Sequence, residues 1–84
     1  MKAHLADFGL RLRQTPQGWQ VLAVTPGSPG AEAGLESGDL ILRAWGRPTA
    51  GPLGPTMMEH VSGYCWLHVQ DRQTGTIQTV LLAV

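Results

Sequence analysis

The stretch from Pro26 to Leu42 constrains the fold of this chain more than any other. A hydrophobic run ends just before it. Ser28 followed by Pro29 is typical of the start of a short helix, because serine caps the first backbone N–H groups and proline fits the first helical position. Gly34 predicts the end of that helix, since glycine adopts a left-handed cap conformation at little cost. The segment therefore predicts a strand, a very short helix, a tight turn and a second strand.

The end of this helix and the turn after it carry further expectations. We expect Gly34 to have a positive φ and Leu35 to fold back as an apolar plug. Asp39 is expected to accept hydrogen bonds from the turn and to take no part in chemistry. The apolar run from Leu40 to Leu42 predicts a strand that is buried on both faces.

Alternation of apolar and polar residues predicts strands on both sides of this unit. Leu10 and Leu12 share one face of a strand, whereas Arg11 and Arg13 face away. The predicted strands cover residues 8–13, 19–24, 40–45, 64–70 and 76–84, and a second short helix is predicted near Met58. The pattern indicates a mainly β fold with two short helices, arranged as a partly open antiparallel barrel or sandwich of five or six strands.

Length and charge restrict the classes of function. The 84 residues suffice for one modest core, so residues 1–84 are expected to form a single domain with residues 1–7 as a lead-in segment. Six basic and six acidic side chains balance, which predicts no general attraction for nucleic acid or anionic membrane. No apolar run is long enough to insert into a bilayer, and residues 1–10 lack a signal-peptide core. We expect a monomer in isolation.

The chain lacks the residue patterns typical of enzymes and metal centres. Cys65 is the only cysteine, so neither an internal disulfide nor a thiolate metal cluster can form. The histidines His4, His60 and His68 lie far apart, without the short spacing of a zinc site. No serine lies in a nucleophile signature. We therefore predict no catalytic residue, no metal and no cofactor in this chain.

The spacing V-x-P-G-S-P-x-x-x-A-G-L-x-x-G-D-x-I, which runs from Val24 to Ile41, closely resembles PDZ domains, especially bacterial ones. The resemblance extends over residues 8–84. The chain is similar to the accessory domains of high-temperature-requirement serine proteases, carboxyl-terminal processing proteases and glycyl aminopeptidases. This resemblance implies a PDZ-like fold, a protease as parent protein and a periplasmic or cell-envelope location, with no targeting signal in the chain itself.

The resemblance also implies a binding site. PDZ domains bind an extended peptide as an added strand between a strand edge and a helix, and backbone N–H groups of a hydrophobic-Gly-hydrophobic loop hold its terminal carboxylate. The segment Phe8-Gly9-Leu10 matches that loop. The resemblance implies the peptide-binding residues Phe8, Gly9, Leu10, Arg11, Leu12, Met57, Met58 and Val61. The expected partners are C-terminal or unfolded segments of proteins.

Three functions remain open from the residues alone. The first is substrate recognition or regulation in a larger protease, with preference for an apolar C-terminal residue and little dependence on charge further along the peptide. The second is an interaction or scaffold module of a secretion or membrane assembly. The third is a degenerate PDZ domain that packs within its parent, because Asp7 precedes the loop with a charge that repels a carboxylate. Phe8, Leu10, Met57 and Val61 are then simply core residues.

Overall fold

The computed structural model describes residues 8–50 and 64–83. In chain order, the elements are β1 (Leu10–Thr15), β2 (Gly18–Val24), α1 (Pro29–Glu32), β3 (Leu40–Ala44), β4 (Arg47–Pro48), β5 (Tyr64–Gln70) and β6 (Ile77–Ala83). These residues contain the five predicted strands, the first predicted helix and an additional two-residue strand, β4. The second predicted helix, near Met58, lies outside the described residues.

The strands form one antiparallel sheet in the order β1-β2-β3-β5-β6, and β4 pairs with β3. Among the described strands, β1 and β6 lie at the two ends, so this sheet is open. The arrangement confirms the predicted fold class, a mainly β domain with few helical residues. Within the same residues, no helix has the length and apolar character needed to span a membrane.

The core lies on one face of the sheet and follows the predicted alternation. In β5, Leu67 and Val69 are buried, whereas Trp66 and His68 are exposed. The buried apolar residues form one cluster: Phe8, Leu10, Trp19, Val21, Leu35, Ile41, Ala44, Leu67, Val69 and Leu82. Burial of these side chains is the main term that stabilises the sheet, because removing apolar surface from water contributes roughly 25 cal/mol per Å².

The first hairpin is tighter than the sequence predicted. Residues 14–18 were expected to form a polar connection, but β1 continues to Thr15, which pairs with Gly18. The Thr15 hydroxyl donates to the Gly18 carbonyl at 2.8 Å and accepts from the Gly18 N–H at 3.2 Å. These bonds close the strand pair around a two-residue turn, Pro16 and Gln17.

Strand β3 departs from the expectation that Leu40, Ile41 and Leu42 are all fully buried. Ile41 is buried, whereas Leu40 and Leu42 are only partly buried. The pairing with β5 shifts between Ile41 and Arg43, which makes Leu42 the extra residue of a bulge. A bulge interrupts the two-residue alternation of side chains, so Arg43 faces solvent and Ala44 returns to the core.

Helix α1 has the predicted ends. The Ser28 hydroxyl accepts from the Ala31 N–H at 3.2 Å, and Pro29 occupies the first turn. At the other end, Gly34 has φ +87°, which confirms the predicted left-handed cap. The Gly34 N–H donates to the Ala31 carbonyl and the Leu35 N–H to the Gly30 carbonyl, the two bonds of a Schellman motif. Leu35 is buried, as predicted.

Candidate functional site

The segment Phe8-Gly9-Leu10 leads directly into β1. Phe8 has an exposed fraction of 0% and Leu10 of 5%, and both side chains belong to the core cluster. Both side chains are therefore part of the core, and that Leu10 also lines a groove stays a prediction. The two buried side chains flank Gly9 and anchor the backbone of the segment on both sides of it.

Gly9 occupies a position that strongly favours glycine. Its φ is +80°, a conformation that side chains with a Cβ rarely adopt. A Cβ on Gly9 would also overlap the Cβ and hydroxyl of Ser28. The Gly9 carbonyl accepts a hydrogen bond from the Thr25 N–H at 2.8 Å, which fixes the orientation of the peptide plane. The loop is thus held by the segment that leads into α1.

Gly30 provides the second close contact between α1 and this loop. It is buried inside α1, and a Cβ there would lie 2.7 Å from Leu10 Cδ2 and 2.9 Å from the Phe8 carbonyl oxygen. Glycine weakens a helix interior by about 1 kcal/mol relative to alanine, so its presence in a four-residue helix indicates that space is limiting. Because Ser28 and Gly30 both contact the loop, α1 and the start of β1 form one packed unit.

Sequence reasoning did not include Ser28 or Gly30 among the site residues. Ser28 was interpreted only as a helix cap, and it has both roles because it caps α1 and packs against Gly9. A glycine within a short helical segment is a signal of close backbone approach and could have identified Gly30.

Strand β1 presents two different faces. Leu10 is buried and Leu12 is partly buried on the core side, whereas Arg11 and Arg13 are exposed on the opposite side. The Arg13 Nη2 group donates to Gln20 Oε1 of the neighbouring strand at 2.8 Å. Among the described strands, β1 pairs only with β2. The position of β1 at the end of this sheet is the geometry from which strand addition proceeds.

The structure brings five of the eight predicted site residues together on this loop and strand, namely Phe8, Gly9, Leu10, Arg11 and Leu12. The other three, Met57, Met58 and Val61, lie outside the described residues. The helical wall of the predicted groove therefore stays a prediction.

A family model described as PDZ domain matches residues 20–64. This match covers more than half of the chain, and the protein belongs to the PDZ domain family. PDZ domains are non-catalytic interaction modules. Membership of the family therefore makes this chain a protein-interaction module. No curated protein matches the sequence significantly.

Three solved structures share the fold. An aminopeptidase N family protein from Idiomarina loihiensis is 26% identical with a TM-score of 0.72, over 90% of this chain and 13% of that protein. The photosystem II D1 C-terminal processing protease is 19% identical with a TM-score of 0.75, over 92% of this chain and 22% of that protein. The HtrA-type protease AlgW, solved with a decapeptide, is 19% identical with a TM-score of 0.70, over 90% of this chain and 27% of that protein.

This chain therefore corresponds to a small part of each of these larger proteins. At 19% identity, the likeness to the two proteases shows a shared fold. Together with the family match, it supports description of the chain as a PDZ domain.

Proposed function

We propose that this domain captures apolar C-terminal or extended peptide segments by adding them as a strand to the free edge of β1. The terminal carboxylate is bound by backbone N–H groups of Phe8, Gly9 and Leu10. Leu10 and Leu12 form the strand side of the groove, and Met57, Met58 and Val61 form the helix side. Residues 1–84 act as one domain, which is a monomer in isolation. In its parent protein, a larger protease, the domain serves substrate recognition or regulation.

The observation that carries this proposal is the conformation of Gly9 at the start of an end strand. Its positive φ and its close contact with Ser28 fix the backbone of the loop next to this strand, which supports a role for the loop N–H groups in binding. Successive N–H groups in such a turn form a concave site for an anion. The structure of the HtrA-type protease with a decapeptide supports peptides as the class of partner.

Titration of the domain with a peptide that ends in valine tests the proposal. The free-acid peptide should bind in the micromolar range, about −8 kcal/mol at 1 μM, because the peptide loses chain entropy when it becomes a strand. The same peptide with an amidated C-terminus should bind much more weakly, since the loop N–H groups lose a charged acceptor. Backbone amide chemical shifts report both the affinity and the position of the ligand.

Two leucines provide a matched pair of variants. Leu12→Ala should weaken binding, because Leu12 lines the proposed groove. Leu81→Ala should leave binding unchanged, because Leu81 is 47% exposed on β6, at the other end of the described sheet.

Equal affinity of the domain for the free-acid peptide and the amidated peptide would contradict binding of the terminal carboxylate by the loop.

A second candidate function is packing of the domain within its parent protein. The exposed side chains Trp66 and Leu81 lie directly opposite each other in the β5-β6 pair, with exposed fractions of 50% and 47%. Adjacent apolar side chains on an outer sheet face favour a protein contact. If neither peptide perturbs Gly9 or Leu12, this second function is preferred over peptide capture.

A further inference from the structure

Two arginines occupy alternate positions on the strand to which a peptide would be added. Arg11 and Arg13 are both exposed on the outer face of β1, opposite the face that carries Leu10 and Leu12. Side chains two residues apart on a strand point in the same direction. Among the described strands, β1 therefore presents two positive charges along one side of the edge that does not pair with β2.

The neighbours of these arginines on β2 do not neutralise them. Arg11 lies opposite Ala23 and Arg13 lies opposite Gln20. The Gln20 carboxamide oxygen accepts one hydrogen bond from Arg13 at 2.8 Å and carries no charge. A guanidinium has five N–H donors, so most of the Arg13 donors are left for other partners. Within residues 8–50 and 64–83, no carboxylate forms an ion pair with either arginine.

The geometry of strand addition decides which peptide residues meet these charges. The added peptide forms an antiparallel strand beside β1. When its C-terminal side chain lies on the groove face opposite Leu10, the residue before it lies opposite Arg11. Alternation then returns the next residue to the groove, opposite Leu12. The third residue before the C-terminal one lies opposite Arg13. Directly opposite residues have Cβ atoms about 4.5–5.5 Å apart, within reach of an ion pair.

We infer that Arg11 and Arg13 make the domain selective for acidic side chains at the first and third residues before the peptide's C-terminal residue. This inference rests on the proposed peptide-binding function and extends it from the C-terminal residue to the charge of the ligand. It replaces the expectation from the sequence that charge further along the peptide has little effect. Peptides with lysine at these two positions are disfavoured, because like charges directly opposite each other repel.

Four free-acid peptides that end in valine and differ only at these two positions test the inference. Two of them carry a single glutamate, at the first or at the third position, with glutamine at the other position. The remaining two carry glutamine at both positions or lysine at both positions. Each single glutamate should raise affinity by about two- to fivefold over the glutamine peptide, in line with cross-strand ion pairs at exposed positions. The lysine peptide should bind more weakly than the glutamine peptide.

Charge-removing variants connect each preference to its arginine. Arg11→Gln should abolish the preference for glutamate at the first position and leave the third unaffected, and Arg13→Gln should do the reverse. Arg47→Gln is the matched control, because it removes the same charge from exposed β4. It should change neither preference. Both β1 arginines are exposed, so these variants are expected to melt with the parent domain.

Ionic strength provides an independent readout. Raising the salt concentration from about 0.01 M to about 1 M shortens the Debye length from about 30 Å to about 3 Å, which should reduce the preference for glutamate. Equal binding of all four peptides would overturn the inference while peptide capture stands. A preference for glutamate that persists in both arginine variants would also overturn it. Binding of none of the peptides would overturn both the inference and the proposed function.

Discussion

The carboxylate of Asp39 accepts a hydrogen bond from the backbone N–H of Arg72, 33 residues further along the chain, at 3.2 Å. Its other oxygen accepts from the Glu36 N–H at 3.0 Å, within the turn where the sequence predicted its role. Asp39 is only 5% exposed. The Arg72 side chain packs over Gly38, where a Cβ would collide with it. Asp39 therefore connects the turn before β3 to the turn after β5.

Replacement of Asp39 should destabilise the fold. Asp39→Ala leaves the Glu36 and Arg72 N–H groups without their acceptor, and each unsatisfied donor costs about 1–3 kcal/mol. We expect a total loss of about 2–4 kcal/mol in the free energy of unfolding, measured by urea denaturation. Glu32→Gln, which alters an exposed carboxylate, is the control and should change stability by less than about 0.5 kcal/mol. Equal stability of the two variants would contradict a structural role for Asp39.

Gly34→Ala should reduce stability by about 1 kcal/mol. The cause is backbone conformation, because φ is +87° and a Cβ would meet no atom within 4 Å. Gly34→Asn should lose less than Gly34→Ala, since asparagine tolerates the left-handed conformation better than alanine. Thermal and urea unfolding of both variants measure this difference. If Gly34→Ala melts with the parent domain, the helix cap contributes nothing to stability.

Gly9→Ala should be more damaging than Gly34→Ala. It has the same conformational penalty and, in addition, steric overlap with Ser28, for a total loss of about 2–4 kcal/mol. The double variant Gly9→Ala/Ser28→Gly removes the overlap and should recover part of that loss, although the positive φ remains unfavourable. Urea denaturation of the single and double variants gives the coupling energy. No recovery in the double variant would show that contact with Ser28 is not the constraint.

Asp71 should make stability depend on pH in acid. Its carboxylate accepts from the Thr74 N–H at 3.0 Å and the Gln73 N–H at 2.7 Å, and these bonds lower its pKa from 3.8. A pKa that is lower in the folded chain than in the unfolded chain stabilises the fold above the unfolded value. That stabilisation is lost as the pH falls through the folded value.

The variant Asp71→Asn isolates the charge, because asparagine keeps an acceptor oxygen in the turn. It should be less stable than the parent domain at neutral pH, and the difference should diminish as the solution is acidified below the ordinary aspartate pKa. Urea denaturation at several pH values measures the difference. A difference that is constant with pH would contradict the role of the ionised carboxylate.

Much of this fold follows from local chemistry and could be predicted from the sequence. Ser28, Pro29 and Gly34 determine the ends of α1 through bonds within a few residues of chain, so no distant contact is needed to recognise them. Alternation likewise predicted which residues of β1 and β5 face the core, because a half-buried strand has a period of two. Of the candidate site, Phe8, Gly9 and Leu10 were indicated by the family resemblance, whereas local alternation predicted a strand from residue 8 and β1 begins at Leu10.

The sequence by itself thus determined the main strands, the two caps of α1 and the inward faces of β1 and β5, whereas only the tertiary structure decided which residues meet across the chain. The bulge at Leu42 arises from the pairing of β3 with β5, which brings together residues more than 20 positions apart. The contact of Gly9 with Ser28 and the bond from Arg72 to Asp39 also depend on how separate elements pack. Such contacts leave no periodic signal in the sequence, because residues far apart along the chain meet only when separate elements pack together.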